Sequence, residues 1–463
     1  MEFRNLIENH KENIIKKTQE LISIKSVEDV PLKGMPFGEG PYKALKYTAN
    51  LAEELGFRIE EFDGYAAHAD LGVGEEIVGI LVHLDVVPEG DGWTYNPYGG
   101  EIHDGKIYGR GVVDDKGPTI AALYAMKALM DSKTPLKRKV RIIFGTNEET
   151  GWGCMKYYFS KVKAPTMAFV PDADFPVING EKGIIIFNLK YQLIEENNNI
   201  RLIDLKGGTA PNMVPDTAMA TFETEKVDEF VNKVNLFNDK KENHISIEVD
   251  ENIVKVIAKG ISAHGSTPEK GENAISYLME CLGEVLDNNS FSEFVKIYND
   301  RIGFYHNGEK IGCGYEDEVS GKLNFNPGMI KYENNNIVLT INIRYPISSS
   351  GKEVYDGIRE NLNDTDIKLI EGESEHKPLY VPEDNFLVKR LMDVYRNETK
   401  DFDSKPIAIG GGTYARAMEN AVAFGPMFPG QKDVAHQKDE YISIDHLIKI
   451  TEIYAKALFE LTR

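Results

Sequence analysis

The sequence predicts an α/β fold, a mostly parallel sheet flanked by helices, interrupted by an inserted α+β domain. Three observations predict it. At 463 residues the chain exceeds the roughly 250–300 residues at which a single hydrophobic core stops growing, so at least two domains are expected. In the first third, apolar strand-like runs alternate with helix-like ones, the pattern of parallel strands joined by helices. From about Glu181 the runs lengthen and alternate apolar with polar, as in an antiparallel sheet wet on one face.

The elements follow in chain order. Met1 to Glu28 is charged throughout, with Leu6, Ile14 and Leu21 at helical spacing, so it reads as helix and lacks the apolar block of a signal peptide. Ile77 to Leu84 is strand-like, Thr119 to Met130 helix-like, and Val140 to Gly145 and Thr166 to Val170 are strand-like again. The long alternating strands are Gly183 to Leu193, Ile245 to Lys259 and Ile337 to Tyr345. A helical pattern resumes near Asn385, followed by Pro406 to Gly412, the strand-like Ala421 to Gly425 and a closing helix from Asp445 to Leu461. This last stretch reads as a return to the first domain. The expected division is therefore 1–180 and 385–463 for the parent domain and 181–384 for the insertion.

Composition excludes several classes. With 41% hydrophobic and 27% charged residues the chain has the make-up of a folded protein, not a disordered one. A formal net charge of -21 repels a phosphate backbone, and no stretch clusters Lys and Arg among aromatics, which argues against nucleic acid. No run reaches the ~18–20 apolar residues of a membrane span. Cys154, Cys281 and Cys313 are odd in number and scattered, which fits the reducing cytoplasm better than a disulfide framework.

In an open α/β sheet, ligands bind beyond the carboxyl ends of the strands. The residues found there are His83 and Asp85 after the first apolar run, Asn147, Glu148 and Glu149 after the third, Asp172 after the fourth, and His436 beyond Val422-Ala423-Phe424. Asp114 adds to them from the Gly-rich turn Gly109 to Gly117 that precedes a helix. Two histidines with several carboxylates at one sheet edge suit zinc, or manganese where oxygen donors dominate. A pair of ions needs a bridging carboxylate and about two further ligands each, which this set offers. Glu148 and Glu149 point in different directions, so one can ligate while the other takes a proton. Taken singly, each residue also has a plainer reading: Asp114 or Asp115 as a helix cap, Asp172 as a strand terminator, the two glutamates as a solvated turn, His83 as a hydrogen-bonded structural residue.

The motifs His83-Leu84-Asp85-Val86-Val87-Pro88, Gly92-Trp93-Thr94, Tyr108-Gly109-Arg110-Gly111, Asp114-Asp115-Lys116-Gly117-Pro118 and Asn147-Glu148-Glu149-Thr150-Gly151 resemble the zinc peptidase family of carboxypeptidase G, aminoacylase, succinyl-diaminopimelate desuccinylase and the PepV-type, carnosinase-like bacterial dipeptidases. The resemblance spans the chain, and the Asp-Asp-Lys-Gly-Pro form and the long middle block look most like the PepV type. It implies a catalytic domain with an inserted α+β lid domain and two divalent metal ions, zinc foremost, with manganese or cobalt as alternatives. By the resemblance, His83 and Asp172 hold one ion, Glu149 and His436 the other, Asp114 bridges them, and Asp115 has no ligand role. Asp85 orients the ring of His83, and Glu148 is the general base for a water shared by the two metals.

The resemblance also assigns substrate handling to the insertion. His264, in Ser262 to Pro268, matches a histidine that stabilises the oxyanion; by itself it reads as a turn residue before a helix near Glu272. Asn212 and Arg344 resemble residues that contact the substrate backbone or its carboxylate, although Arg344 at a strand end equally reads as a surface charge. Gly410, Gly411, Gly412 and Thr413 lack the lysine and spacing of a phosphate loop, and resemble a loop that closes the substrate's carboxyl side. The same run also reads as a tight turn. The implied substrate is a very small peptide and the implied state a monomer. The rival within the same chemistry is an N-acyl or N-succinyl amino acid deacylase; a metal-binding protein without catalysis finds no missing ligand or base to support it.

Overall fold

The structure, a computed structural model, describes residues 3–194, 200–239, 244–287 and 289–463; the first two residues of the N-terminal helical segment lie outside them. The chain divides into two compact units. Unit 1 comprises Met1–Asn179, Tyr380–Ile407 and Gly412–Arg463, and unit 2 comprises Gly180–Leu379 with Ala408–Gly411.

In unit 1 the sheet runs Arg58–Phe62, Ala66–Leu71, Lys139–Gly145, Ile77–His83, Met167–Val170, Ala421–Ala423. The last four are mutually parallel, and the first two add an antiparallel edge. Ile77–His83 and Lys139–Gly145 are buried at every position after the first, as expected for mostly apolar strands covered on both faces. The helix Lys116–Asp131 is buried almost all round. It packs with the closing helix Ile444–Thr462 on these two strands.

One buried charge group braces the antiparallel edge. Asp70 accepts from Arg141 Nε at 2.7 Å and Nη2 at 2.8 Å, with Lys139 at 3.1 Å and Arg58 at 3.2 Å. Burial alone would raise the Asp70 carboxyl, but the Arg141 fork outweighs it and holds the group well below the usual carboxylate range. A depressed folded value means stability that is present above the unfolded value of about 3.9 and is lost as pH falls through the folded one. Asp70→Asn is expected to cost unit 1 about 3–5 kcal/mol at neutral pH, because Arg141 keeps its charge in a buried place. Urea unfolding checks this, and the gap to the parent protein should narrow on acidification below pH ~4.

Unit 2 is built on an antiparallel sheet in the order Ile245–Asp250, Ile253–Lys259, Thr217–Thr224, Ile200–Gly207, Asn324–Glu333, Asn336–Tyr345, Gly183–Gln192, Lys368–Ile370. Burial alternates strictly along Gly183–Gln192 and Thr217–Thr224. Phe187, Val256, Leu278, Ile341 and Ile343 share one core, to which the helix Ala274–Val285 contributes. The expected single strand from Ile245 to Lys259 is in fact a hairpin. Asp250 pairs with Ile253, and Glu251 turns the chain at φ +51°. The polar run Asp250-Glu251-Asn252 is the turn signal that the alternation on either side conceals.

Candidate active site

Parallel pairing sets His83 beside Gly145, so the segments that follow the two strands start at one sheet edge. Thr146, Asn147, Glu148 and Glu149 follow the Lys139–Gly145 strand, Asp172 follows Met167–Val170, and a loop after Ala421–Ala423 delivers His436. His436 sits at φ +61°, a conformation that a non-glycine residue holds only where its surroundings enforce it. Asp114 arrives in the turn before the Lys116–Asp131 helix. Gly117 permits this turn, since a Cβ there would lie 2.1 Å from the Val112 carbonyl oxygen.

The Asp114 carboxylate stands between the two histidines. Its Oδ1 is 2.8 Å from His83 Nε2 and its Oδ2 is 2.9 Å from His436 Nε2. Asp172 Oδ2 lies 3.7 Å from His83 Nε2, and both Glu149 oxygens lie 3.2 Å from His436 Nε2. One donor atom from each of His83, Asp114 and Glu149 falls within 4.8 Å of the others, as for His83, Glu148 and Asp172. This is a mixed nitrogen and oxygen donor set of the kind that holds borderline divalent cations. A carboxylate with one oxygen toward each histidine has the form of a bridging ligand.

The electrostatics point the same way. Burial, then repulsion from Asp172, raises Glu148 well above the usual range; burial, then Asp114, raises Glu149. Burial and repulsion from Asp114 push Asp172 up to about 7. Burial opposes the charged form of His83, but the Asp172 carboxylate and the bond to Asp114 prevail and raise it. Desolvation likewise opposes charge on half-exposed His436, yet its bonds to Asp114 and Glu149 lift it to about 11. These acids and histidines alike hold protons more tightly than usual, the mark of a strongly negative potential in which a divalent cation could take the place of those protons.

Around these groups sit partners that hold them in place. His83 Nδ1 bonds to the main-chain oxygen of Asp85 at 3.0 Å, while the Asp85 carboxylate is 3.6 Å away. That carboxylate instead accepts from the backbone of Glu148 at 2.8 Å and of Glu149 at 3.1 Å. So the main chain of Asp85 meets the ring and its side chain shapes the glutamate turn. Asp115 is fully buried and accepts from the His83 backbone at 3.1 Å.

Within unit 2, the isolated bridge Met213↔His264 and the bond from Gly265 N to Asn212 O at 2.7 Å join the two short segments that carry Asn212 and His264. Both side chains are exposed. Asn326 fastens the Asn212 segment from below, donating to the carbonyls of Pro211 and Met213 at 2.9 Å each. Arg344 is not a surface charge. It is 6% exposed, with Nε on Asn342 Oδ1 and Nη1 on Gly410 O, each at 3.0 Å. The Gly410 to Thr413 run is divided, since Gly410 and Gly411 belong to unit 2 and Gly412 and Thr413 to unit 1. Thr413 Oγ1 accepts from Ala415 N at 3.1 Å and caps a short 3₁₀ turn.

Three side chains that sequence reasoning passed over matter here. Trp152 Nε1 donates to Glu148 Oε1 at 3.1 Å. Arg110 and Glu440 form a buried ion pair at 2.7 Å behind Asp114. Arg110 lies inside the motif Tyr108-Gly109-Arg110-Gly111; Glu440, in Lys438-Asp439-Glu440, reads in sequence as one more surface charge.

Comparison with known proteins identifies the family. Residues 79–460 match the family described as peptidase family M20/M25/M40. The chain is 42% identical over 98% of its length, and 98% of the relative's, to the Bacillus subtilis (strain 168) protein named "Putative dipeptidase YtjP". It is 37% identical over 98% of its length, and 97% of the relative's, to a Staphylococcus epidermidis protein named "Putative dipeptidase". In fold it is similar to human carnosine dipeptidase 1, with a TM-score of 0.57 at 16% identity over 99% of this chain and 98% of that one. It is also similar to the aminoacylhistidine dipeptidase of Vibrio alginolyticus, with a TM-score of 0.56 at 14% identity over 97% and 96% of the two chains. With the family match running through the strand ends, the glutamate turn and His436, the chain belongs to peptidase family M20/M25/M40.

Proposed function

We propose that this peptidase is a metal-dependent dipeptidase. The observation that carries the reading is the Asp114 carboxylate set between His83 and His436, with Glu149 and Asp172 beside them. In this reading His83 and Asp172 hold one divalent ion, Glu149 and His436 a second, and Asp114 is shared. Zinc is the first choice, with manganese or cobalt able to substitute. Such ions, when bound, polarise the scissile carbonyl and acidify water.

Glu148 takes the proton from the attacking water and later gives it to the leaving amine. The Trp152 indole N–H, 3.1 Å from Glu148 Oε1, aims that carboxylate. His264 is assigned the hydrogen bond to the developing oxyanion, and Asn212, Arg344 and the 410–413 run the binding of substrate. The dipeptide preference draws on the names of the Bacillus and Staphylococcus relatives. A cytoplasmic monomer is part of the same proposal, consistent with three free, buried cysteines; no helix among the described residues is long and apolar enough to cross a membrane.

The test is hydrolysis of a dipeptide panel by metal-stripped protein with zinc, manganese or cobalt restored. Metal-dependent cleavage of dipeptides, with longer peptides and N-acyl amino acids spared, is the expected result. Preference for N-acetyl or N-succinyl amino acids would replace the reading with that of a deacylase.

A further inference from the structure

We propose that Arg110 and Glu440 are a positioning pair that fixes the spacing of the metal ligands by tying together the three segments that carry His83, Asp114 and His436. The inference rests on the metal-site reading and adds to it the groups that set the site's geometry.

Glu440 is fully buried and Arg110 is 2% exposed. The Glu440 carboxylate binds the Asp114 turn: Oε2 accepts from Arg110 Nη1 at 2.7 Å and Gly111 N at 3.0 Å, and Oε1 accepts from Val113 N at 2.9 Å and Asp114 N at 3.4 Å. The Glu440 main-chain oxygen also accepts from Gly109 N at 2.9 Å. The turn is thus bound from Gly109 to Asp114 by a single residue, four places beyond His436.

Arg110 extends the tie. Its Nη1 donates to Gln437 O at 3.2 Å, next to His436, and its Nη2 reaches Pro88 O and Glu89 O at 3.4 Å, on the segment that follows His83 and Asp85. The guanidinium lies 5.3 Å from the Trp93 ring centre. A planar fork with several donors can address these carbonyls together; an ammonium cannot.

A buried ion pair is an inefficient way to stabilise a fold, because desolvation offsets most of the attraction. It is an effective way to fix geometry. A bridging carboxylate must present one oxygen to each ion, and supporting partners hold such ligands within about 0.5 Å of the working position. Loss of such a partner typically lowers metal affinity by roughly 10–100-fold.

The experiment is calorimetric titration of cobalt(II) into metal-stripped full-length protein, with the visible absorption of the bound cobalt recorded, for the parent, Glu440→Gln and Arg110→Lys. For Glu440→Gln the expected result is affinity weakened by roughly 10–100-fold and displaced cobalt bands, with circular dichroism unchanged. Arg110→Lys, which retains the charge and loses the fork, should move both readouts in the same direction, and decides the matter if Glu440→Gln does not fold. A merely structural pair would lower the melting temperature and leave the bands of the folded protein in place, and that result overturns the proposal. If the parent itself binds no cobalt, the metal-site reading falls and this proposal with it.

Discussion

Glu148→Gln is expected to bind divalent metal as the parent does and to turn over dipeptide roughly 10²–10⁴-fold more slowly, the span that a positioned general base contributes. The substitution keeps the side chain's volume, and its amide oxygen can still accept from Trp152 Nε1, which is 3.1 Å from Oε1 in the parent. What it removes is the capacity to take a proton. The loss should fall on kcat with KM little changed, since base catalysis acts in the transition state and not in substrate binding. A rival role is visible in the geometry, because donor atoms of Glu148, His83 and Asp172 lie within 4.8 Å of one another. Were Glu148 a ligand, the variant would lose metal affinity together with activity. Calorimetry on the metal-stripped variant separates the two, and a weakened ion would sink the base assignment.

The fold was legible wherever the cause was local. Apolar runs such as Ile142 to Phe144 announce strands buried on both faces, and the strict alternation of Gly183–Gln192 announces a sheet wet on one side. Which side chains stand just beyond the parallel strands follows once those strands are placed, so His83, Glu148, Glu149 and Asp172 could be named from sequence as candidates. The hairpin at Glu251 was missed because alternation of period two continues on both sides of a two-residue turn. Partners set by distant contacts left no local trace. Glu440 meets Arg110 across 330 positions, and nothing near Glu440 distinguishes it from the exposed acids of a chain with 74 of them. Arg344 misled for a related reason. Whether a strand-end arginine is exposed or buried on a carbonyl depends on Gly410, 66 positions away.

Asp114→Ala should produce the largest change in metal binding of any single substitution at the site. Asp172 stands 3.7 Å from His83 and Glu149 makes its contact with His436 at 3.2 Å, so in the two-ion reading removing either should weaken mainly one ion and spare most of the other. Asp114 faces both, at 2.8 Å and 2.9 Å. In the two-ion reading its loss would take a ligand from each ion and a negative group from between the two cations. The fall in affinity should therefore exceed the roughly 10–100-fold that loss of an outer partner costs, with turnover near background. Stability gives an independent readout, because a ligand at a hundred times its dissociation constant stabilises the folded state by about 2.7 kcal/mol. Added zinc should raise the melting temperature of the parent and leave that of Asp114→Ala nearly unmoved. If the variant instead retains two ions with parental affinity, the shared carboxylate is not Asp114, and the assignment passes to a neighbouring acid such as Glu149, 3.2 Å from His436.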